Sequence, residues 1–186
     1  MKRTQLICLH EGKQNSIDPI FVNTFIKTYN PQWLRPLHTG MIRLVPCHGK
    51  VSLLEQFPKE LSQCGKMGGN TTLVVMADVD DDCEHCDALK KKYRQAAKDA
   101  HIADDLFNQV VFVFPKDRIE NWIQYLNTGT TDETREGPRV SNPDAVSAAR
   151  KLAEKCKSGS HNDDFPPSLK WSCKNWKTLL DRMQHD

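Results

Sequence analysis

The sequence predicts an α/β protein with a four-stranded, mostly parallel sheet flanked by helices and a C-terminal helical extension. Short apolar segments alternate with longer stretches whose apolar residues recur at helical spacing. The connections between the apolar segments are ten or more residues long, which favours βαβ crossovers over hairpins. We expect residues 1–126 to form the α/β domain, and 127–186 to add a loop and helices that pack on it.

Four apolar segments are interpreted as strands, and each is followed by a predicted helix. Asp18-Pro19 supplies a cap and a proline at the first position of the first helix. Gly65 is expected to end the second helix. The polar stretch 127–143, rich in Gly and Thr, is expected to be a long loop. The predicted strands are 5–10, 41–46, 71–77 and 109–114, and the predicted helices are 19–29, 52–64, 84–100, 117–126, 144–157 and 169–183.

Composition excludes several classes of protein. With 26 Lys+Arg against 24 Asp+Glu the net charge is +2, so a globally basic nucleic-acid coat is ruled out, whereas a local basic face is not. No run approaches the roughly 20 apolar residues that cross a bilayer, so no membrane partner is expected. The apolar run that ends at Leu9 is too short for a signal-peptide core. We therefore interpret the seven cysteines as reduced thiols of a cytoplasmic protein.

The densest functional signal is the acidic run 78–82, which places four aspartates within five residues at the end of the third predicted strand. In an extended chain Asp78, Asp80 and Asp82 share one face, where their charges repel one another. A hard divalent cation such as Mg²⁺ would neutralise them. The alternative interpretation is a solvated acidic turn before the next helix, whose N-terminus favours negative charge.

A second signal, Glu11-Gly12, follows the first predicted strand. Sites in open α/β sheets form outside the carboxyl ends of the strands, near the point where strand order reverses. If the first and third strands are neighbours, Glu11 converges with Asp78 and Asp80. Gly12 would let the backbone pass close to a phosphate or a metal. The alternative is that Glu-Gly is only a turn.

Together these segments resemble the TOPRIM domain of topoisomerases, primases and OLD-family nucleases, over roughly residues 4–126. The strand that ends in Glu11-Gly12 matches the glutamate motif of that family, and 74–80 matches its Asp-x-Asp motif. The resemblance implies a Rossmann-like fold in which Glu11, Asp78 and Asp80 bind Mg²⁺ or Mn²⁺ and serve phosphoryl transfer, with Asp82 as an additional ligand. It is nearest to small stand-alone TOPRIM-like proteins of bacterial defence loci.

The function implied is a metal-dependent nuclease that cleaves nucleic-acid phosphodiesters, as the effector of an anti-phage defence or toxin system. DNA is favoured over RNA as substrate, an ATPase is the implied partner protein, and a homo-oligomer remains open. The main alternative is a TOPRIM-like interaction subunit that keeps the fold without catalysis. No Gly-x-Gly-x-x-Gly or Walker motif is present, so dinucleotide binding and P-loop ATP hydrolysis are not predicted.

Two further candidates follow the fourth strand. Glu120, early in the predicted helix 117–126, is expected near the same sheet edge, although a surface glutamate beside a buried Trp122 is the alternative. Lys116 could contact phosphate or be solvated.

The segment 83–86 contains Cys-x-x-Cys after a strand, the layout of thioredoxin-like redox proteins. The upstream aspartates would disfavour a thiolate at Cys83 or Cys86 through like-charge repulsion. Zinc is another alternative, with Cys83, His85 and Cys86 as ligands and Cys47-His48 as the missing partners.

Nucleic-acid contact is also considered for a basic stretch, 90–98, and for the last predicted helix, where lysines alternate with Trp171 and Trp176. An exposed tryptophan could stack on bases. The alternative is that Trp176 faces the core and the lysines are solvated.

Overall fold

Four parallel strands form one sheet in the order β2-β1-β3-β4. The structure is a computed structural model that describes residues 5–29, 42–67, 71–80, 85–159 and 164–184. In chain order the elements are β1 (Gln5–His10), α1 (Ile17–Tyr29), β2 (Ile42–Pro46), α2 (Lys50–Met67), β3 (Thr71–Met76), α3 (Cys86–Asp99), α4 (Asp104–Phe107), β4 (Val111–Val113), α5 (Ile119–Thr128), α6 (Asn142–Ser158) and α7 (Pro167–Gln184).

Strand order reverses between β1 and β3. The chain moves from β1 to β2 on one side and then returns to β3 on the other, so β1 and β3 are neighbours, with His10 opposite Met76. Beyond β3 the pairing continues as a parallel bridge between Val79 and Lys116. The segments that follow β1 and β3 therefore leave the sheet side by side, at the position where open α/β sheets carry their sites.

The two faces of the sheet bury different cores. Leu6, Cys8, Val74 and Met76 face a core that α1, α5, α6 and α7 complete. The alternate residues face a second core against α2 and α3, which contains an aromatic cluster of Phe57, Tyr93, Phe107, Phe112 and Phe114. This alternation explains why the strands read as nearly continuous apolar runs, since both of their faces are covered.

The predicted α/β class and the flanking helices are confirmed, and the sheet is parallel throughout the described residues. The prediction that Gly65 ends the second helix is wrong, because α2 continues to Met67. A Cβ at Gly65 would lie 2.9 Å from Cδ2 of Leu106, so glycine lets the Leu106 side chain of the short helix α4 pack closely against α2. That helix was not predicted, and β4 is shorter than expected.

Helix α7 covers the open edge of the sheet. The Ser172 hydroxyl accepts a hydrogen bond from the Phe114 N–H at 3.0 Å, and the Ser168 hydroxyl accepts one from the Lys116 N–H at 3.1 Å. These hydroxyls satisfy backbone donors that an edge strand would otherwise expose. Trp176 is buried against Phe25, so the alternative that placed it in the core is the one observed.

Among the described residues, every helix is either too short or too polar to cross a membrane.

Candidate functional site

Five carboxylates interact electrostatically at the carboxyl edge of the sheet, and we call them the acid cluster. They are Glu11, Asp18, Asp78, Asp80 and Glu120. Glu11 directly follows β1, and Asp78 and Asp80 follow β3. Asp18 and Glu120 occupy the first turns of α1 and α5. Helix N-termini favour negative charge, so these positions stabilise acidic side chains that would otherwise repel one another.

The contact at the centre of the cluster joins the ends of β1 and β3. The Asp78 N–H donates a hydrogen bond to Oε1 of Glu11 at 2.9 Å, across 67 residues of chain. This contact follows from the strand order, because only neighbouring parallel strands bring their carboxyl ends this close. The structure therefore brings the predicted glutamate and the first predicted aspartate together.

Burial and like charge both act on the cluster. Burial raises the pKa of Glu11 to about 7. The hydrogen bond from the Asp78 N–H lowers this pKa in part, and the charge of Asp80 raises it further. Burial and then the charge of Glu120 raise the pKa of Asp18 to about 6. Burial, followed by repulsion from Asp18 and Glu11, raises the pKa of Asp78 well above its ordinary value. Each carboxylate thus makes its neighbours harder to ionise.

Lys50 supplies positive charge at the rim of the cluster. Its Nζ lies 2.8 Å from Oδ2 of Asp80, and it extends from the first turn of α2. The Asp80 side chain is 49% exposed, so the ion pair is partly solvated. Lys50 has no signal in the sequence, because 30 residues separate it from Asp80 and no local pattern joins them.

His10, the last residue of β1, is another residue that the sequence analysis missed. It is 1% exposed, and neither of its ring nitrogens has a hydrogen-bond partner among the described residues. Burial, and then the charge of His48, lowers the pKa of His10 to about 4, so the ring is neutral. A buried imidazole without hydrogen-bond partners is energetically costly.

Gly12 lets the turn after β1 close tightly over the cluster. A Cβ at this position would lie 2.0 Å from Oγ of Ser16 and 2.8 Å from Oδ2 of Asp18. The Gly12 N–H also donates to the Asp18 carboxylate. The close approach predicted for this glycine is therefore made to the first turn of α1.

The donor set suits a hard divalent cation in chemical type, because it consists of carboxylate oxygens. However, in the part of the chain that the structure describes, no group of three or more His, Cys, Asp or Glu side chains is arranged to hold a metal ion. Asp82, the predicted additional ligand, lies outside the described residues. A cation at this site would be held by Glu11 and Asp78, and by Asp80 once that carboxylate is released from Lys50.

The other predicted site residues have the following surroundings. Lys116 pairs with Val79 in the sheet extension, and Glu120 acts on Asp78 and Asp18 through its charge, so both lie at the expected edge.

His85 is the N-cap of α3, where its Nδ1 accepts from the Ala88 N–H at 3.1 Å. This bond gives His85 a structural role.

Cys86 is buried, and its thiol lies 3.6 Å from the Phe114 carbonyl oxygen. Burial, and then the charge of Glu133, raises the pKa of Cys86 to about 12, which opposes thiolate chemistry. Cys83 lies outside the described residues, so of the two cysteines in the Cys-x-x-Cys segment the structure describes only Cys86.

Comparisons of this chain with protein-family models, with curated proteins and with solved structures find no match.

Proposed function

We propose that this protein is a nuclease of the TOPRIM type that depends on Mg²⁺ or Mn²⁺ and cleaves nucleic-acid phosphodiesters, DNA in preference to RNA. The biological role we propose is that of effector in an anti-phage defence or toxin system, with an ATPase as partner protein. One observation carries the proposal: Glu11 and the Asp78 backbone are in contact at the point where strand order reverses in a parallel sheet. Their meeting supports a shared ion between the glutamate and Asp-x-Asp segments.

The crowding of the acid cluster also supports this function. Burial and then mutual repulsion raise the pKa values of three of these carboxyl groups, and perturbed carboxyl groups of this kind cluster at functional sites. A divalent cation held by Glu11 and Asp78 would offset this repulsion, and the chemistry it would supply is charge neutralisation at a phosphate and a bound water of lowered pKa. If Glu11 does not itself hold the cation, its pKa of about 7 suits it to act as a general acid or base. The Asp78 N–H holds the Glu11 carboxylate in place.

The test is cleavage of single- and double-stranded DNA and RNA, with Mg²⁺, with Mn²⁺ and with EDTA. We expect cleavage with a divalent cation only, and its loss in the double variant Asp78→Ala, Asp80→Ala. A matched control is the double variant Asp99→Ala, Asp105→Ala, which removes two exposed aspartates elsewhere and should cleave normally. Unchanged cleavage by the Asp78, Asp80 variant would overturn the assignment.

A non-catalytic interaction subunit is the second candidate, and the Lys50–Asp80 ion pair favours it. A lysine that neutralises one aspartate can replace the charge of a metal and leave a site that binds none. Calorimetric titration with Mg²⁺ and Mn²⁺ separates the two candidates. The nuclease should bind a divalent cation, with weaker binding in Asp78→Ala, whereas the interaction subunit should bind neither.

A further inference from the structure

A cavity of about 360 Å³ opens at the same edge of the sheet as the acid cluster. Its lining includes Val79 and Lys116, which form the bridge beyond β3 and β4, together with Glu133, Thr134 and Trp171. Val79 lies between Asp78 and Asp80 in the chain, and its side chain belongs to the core on the opposite face from Met76. The cavity and the acid cluster are therefore linked through the same extended segment.

The aromatic wall of the cavity is rigid. The Trp171 ring stacks on Phe114 with centroids 5.3 Å apart and an angle of 11° between the planes. Its indole Nε1 donates to Oδ1 of Asp87 at 3.1 Å. An indole fixed on two sides offers a flat surface to a planar ligand at little cost in conformational entropy.

Lys116 brings a cation to the same cavity. Its N–H donates to Ser168 and its carbonyl oxygen accepts from Nδ2 of Asn121 at 3.2 Å, so its backbone is held between α5 and α7. Two carboxylates also line the cavity, and both are engaged: Asp87 accepts from Nε1 of Trp171, and Glu133 accepts hydrogen bonds from Ser168 at the N-terminus of α7. A basic side chain beside an aromatic ring is the combination that binds one phosphate and one base of a nucleic-acid strand.

We propose that this cavity binds one nucleotide unit of a single-stranded nucleic acid, with the base against Trp171 and a phosphate near Lys116. The inference rests on the proposed function, because it adds a subsite for the strand whose phosphodiester reaches the acid cluster. The volume lies toward the lower end of ligand pockets, which suits a single nucleotide rather than a duplex.

The test is binding of a fluorescein-labelled single-stranded dA oligonucleotide, measured by anisotropy in EDTA so that cleavage does not interfere. We expect Trp171→Leu and Lys116→Met each to weaken binding by about tenfold, in line with the energy of one stacked base. Lys59→Met, which removes an exposed lysine from α2, is the charge-matched control and should bind as the wild type does. Far-UV circular dichroism checks folding, and Lys116→Met keeps the test valid if Trp171→Leu does not fold.

A second arm of the test uses AMP as competitor. Competition at millimolar AMP that is lost in Lys116→Met supports a nucleotide subsite. Binding that AMP does not compete with, or that is equal in Lys116→Met and Lys59→Met, overturns the proposal. Binding of AMP without any binding of the oligonucleotide also overturns it, because the ligand would then be a free nucleotide.

The outcomes separate this inference from the proposed function. If oligonucleotide binding depends on Lys116 but no cation supports cleavage, the subsite stands and the nuclease assignment fails. If cleavage occurs but Lys116→Met and Trp171→Leu bind the oligonucleotide as the wild type does, the nuclease assignment stands and the subsite fails.

Discussion

Glu133 and the acid cluster are partly buried carboxylates at the same edge of the sheet, and their surroundings differ. Glu133 accepts hydrogen bonds from the N–H and the hydroxyl of Ser168. That hydroxyl in turn accepts from Nε1 of Trp122 at 2.7 Å and from the Lys116 N–H, so each polar group there has partners. Within the acid cluster, by contrast, the neighbours of Asp78 are mainly other carboxylates, and the described residues give its side chain no hydrogen-bond donor.

The difference separates a carboxylate that hydrogen bonds stabilise from a group of carboxylates that destabilise one another's charged forms. Burial raises the pKa of Glu133, but hydrogen bonds from Ser168 and Trp122 counteract that rise. In the acid cluster repulsion adds to burial for Asp78, Asp18 and Glu11. A carboxylate surrounded by donors fixes a helix terminus, whereas carboxylates crowded together are typical of a site that gains its stability from a ligand.

The largest expected effect is on stability at Glu133. We expect Glu133→Ala to lower the free energy of unfolding by about 2–3 kcal/mol, because it removes the acceptor for Ser168 and leaves buried donors unsatisfied at the start of α7. Urea unfolding followed by circular dichroism measures this loss. Glu136→Ala, in the same loop, is the control and should cost less than about 0.5 kcal/mol, since its ion pair with Arg118 is exposed. Equal effects of the two variants would contradict the comparison.

An opposite and smaller effect is expected at Asp78. Asp78→Asn removes one of the mutually repelling charges from a partly desolvated position, so the metal-free protein should become more stable at pH 8. Thermal and urea unfolding in EDTA measure this gain. A loss of stability at Asp78→Asn, in the same direction as at Glu133→Ala, would remove the distinction between the two groups.

The pH dependence of that gain sharpens the test. Folding raises the pKa of Glu11 from 4.5 to about 7 and the pKa of Asp18 from 3.8 to about 6. Between the unfolded and folded pKa values of each group, the folded protein therefore binds more protons than the unfolded chain. Their contribution to stability is thus complete below about pH 4 and is lost as pH rises to about 7. The advantage of Asp78→Asn should therefore grow over this range, and Mg²⁺ should restore stability to the wild type above it.

The sequence predicted the parts of this comparison that depend on local pattern. Apolar runs marked β1 and β3, and Glu11 was expected to converge with Asp78 and Asp80 if these two strands were neighbours. The strands are neighbours, and the Asp78 backbone N–H donates to the Glu11 carboxylate. Asp18 was interpreted as a helix start and Glu120 as an edge residue, and the packing of α1 and α5 on one face is what brings their charges to Asp78. That packing leaves no local pattern in the sequence.

The partners of isolated polar residues could not be predicted for the same reason. Glu133 lies in a segment read only as a long loop, and its contact with Ser168 spans 35 residues. His10 looked like one more residue of a buried strand, and its lack of hydrogen-bond partners is a property of the assembled core.

The smallest expected effect on stability is at Lys50. Lys50→Met should change the free energy of unfolding by less than about 1 kcal/mol, because its ion pair with Asp80 is partly exposed and the methionine keeps the aliphatic contacts. Lys50→Met should strengthen Mg²⁺ binding by a few fold, because Mg²⁺ then does not have to displace the Lys50 ammonium from Asp80. Calorimetric titration with Mg²⁺ measures this change, with Lys59→Met on the same helix as the control. Weaker binding in Lys50→Met would mean that the lysine supports the site, and would favour the non-catalytic interpretation of the acid cluster.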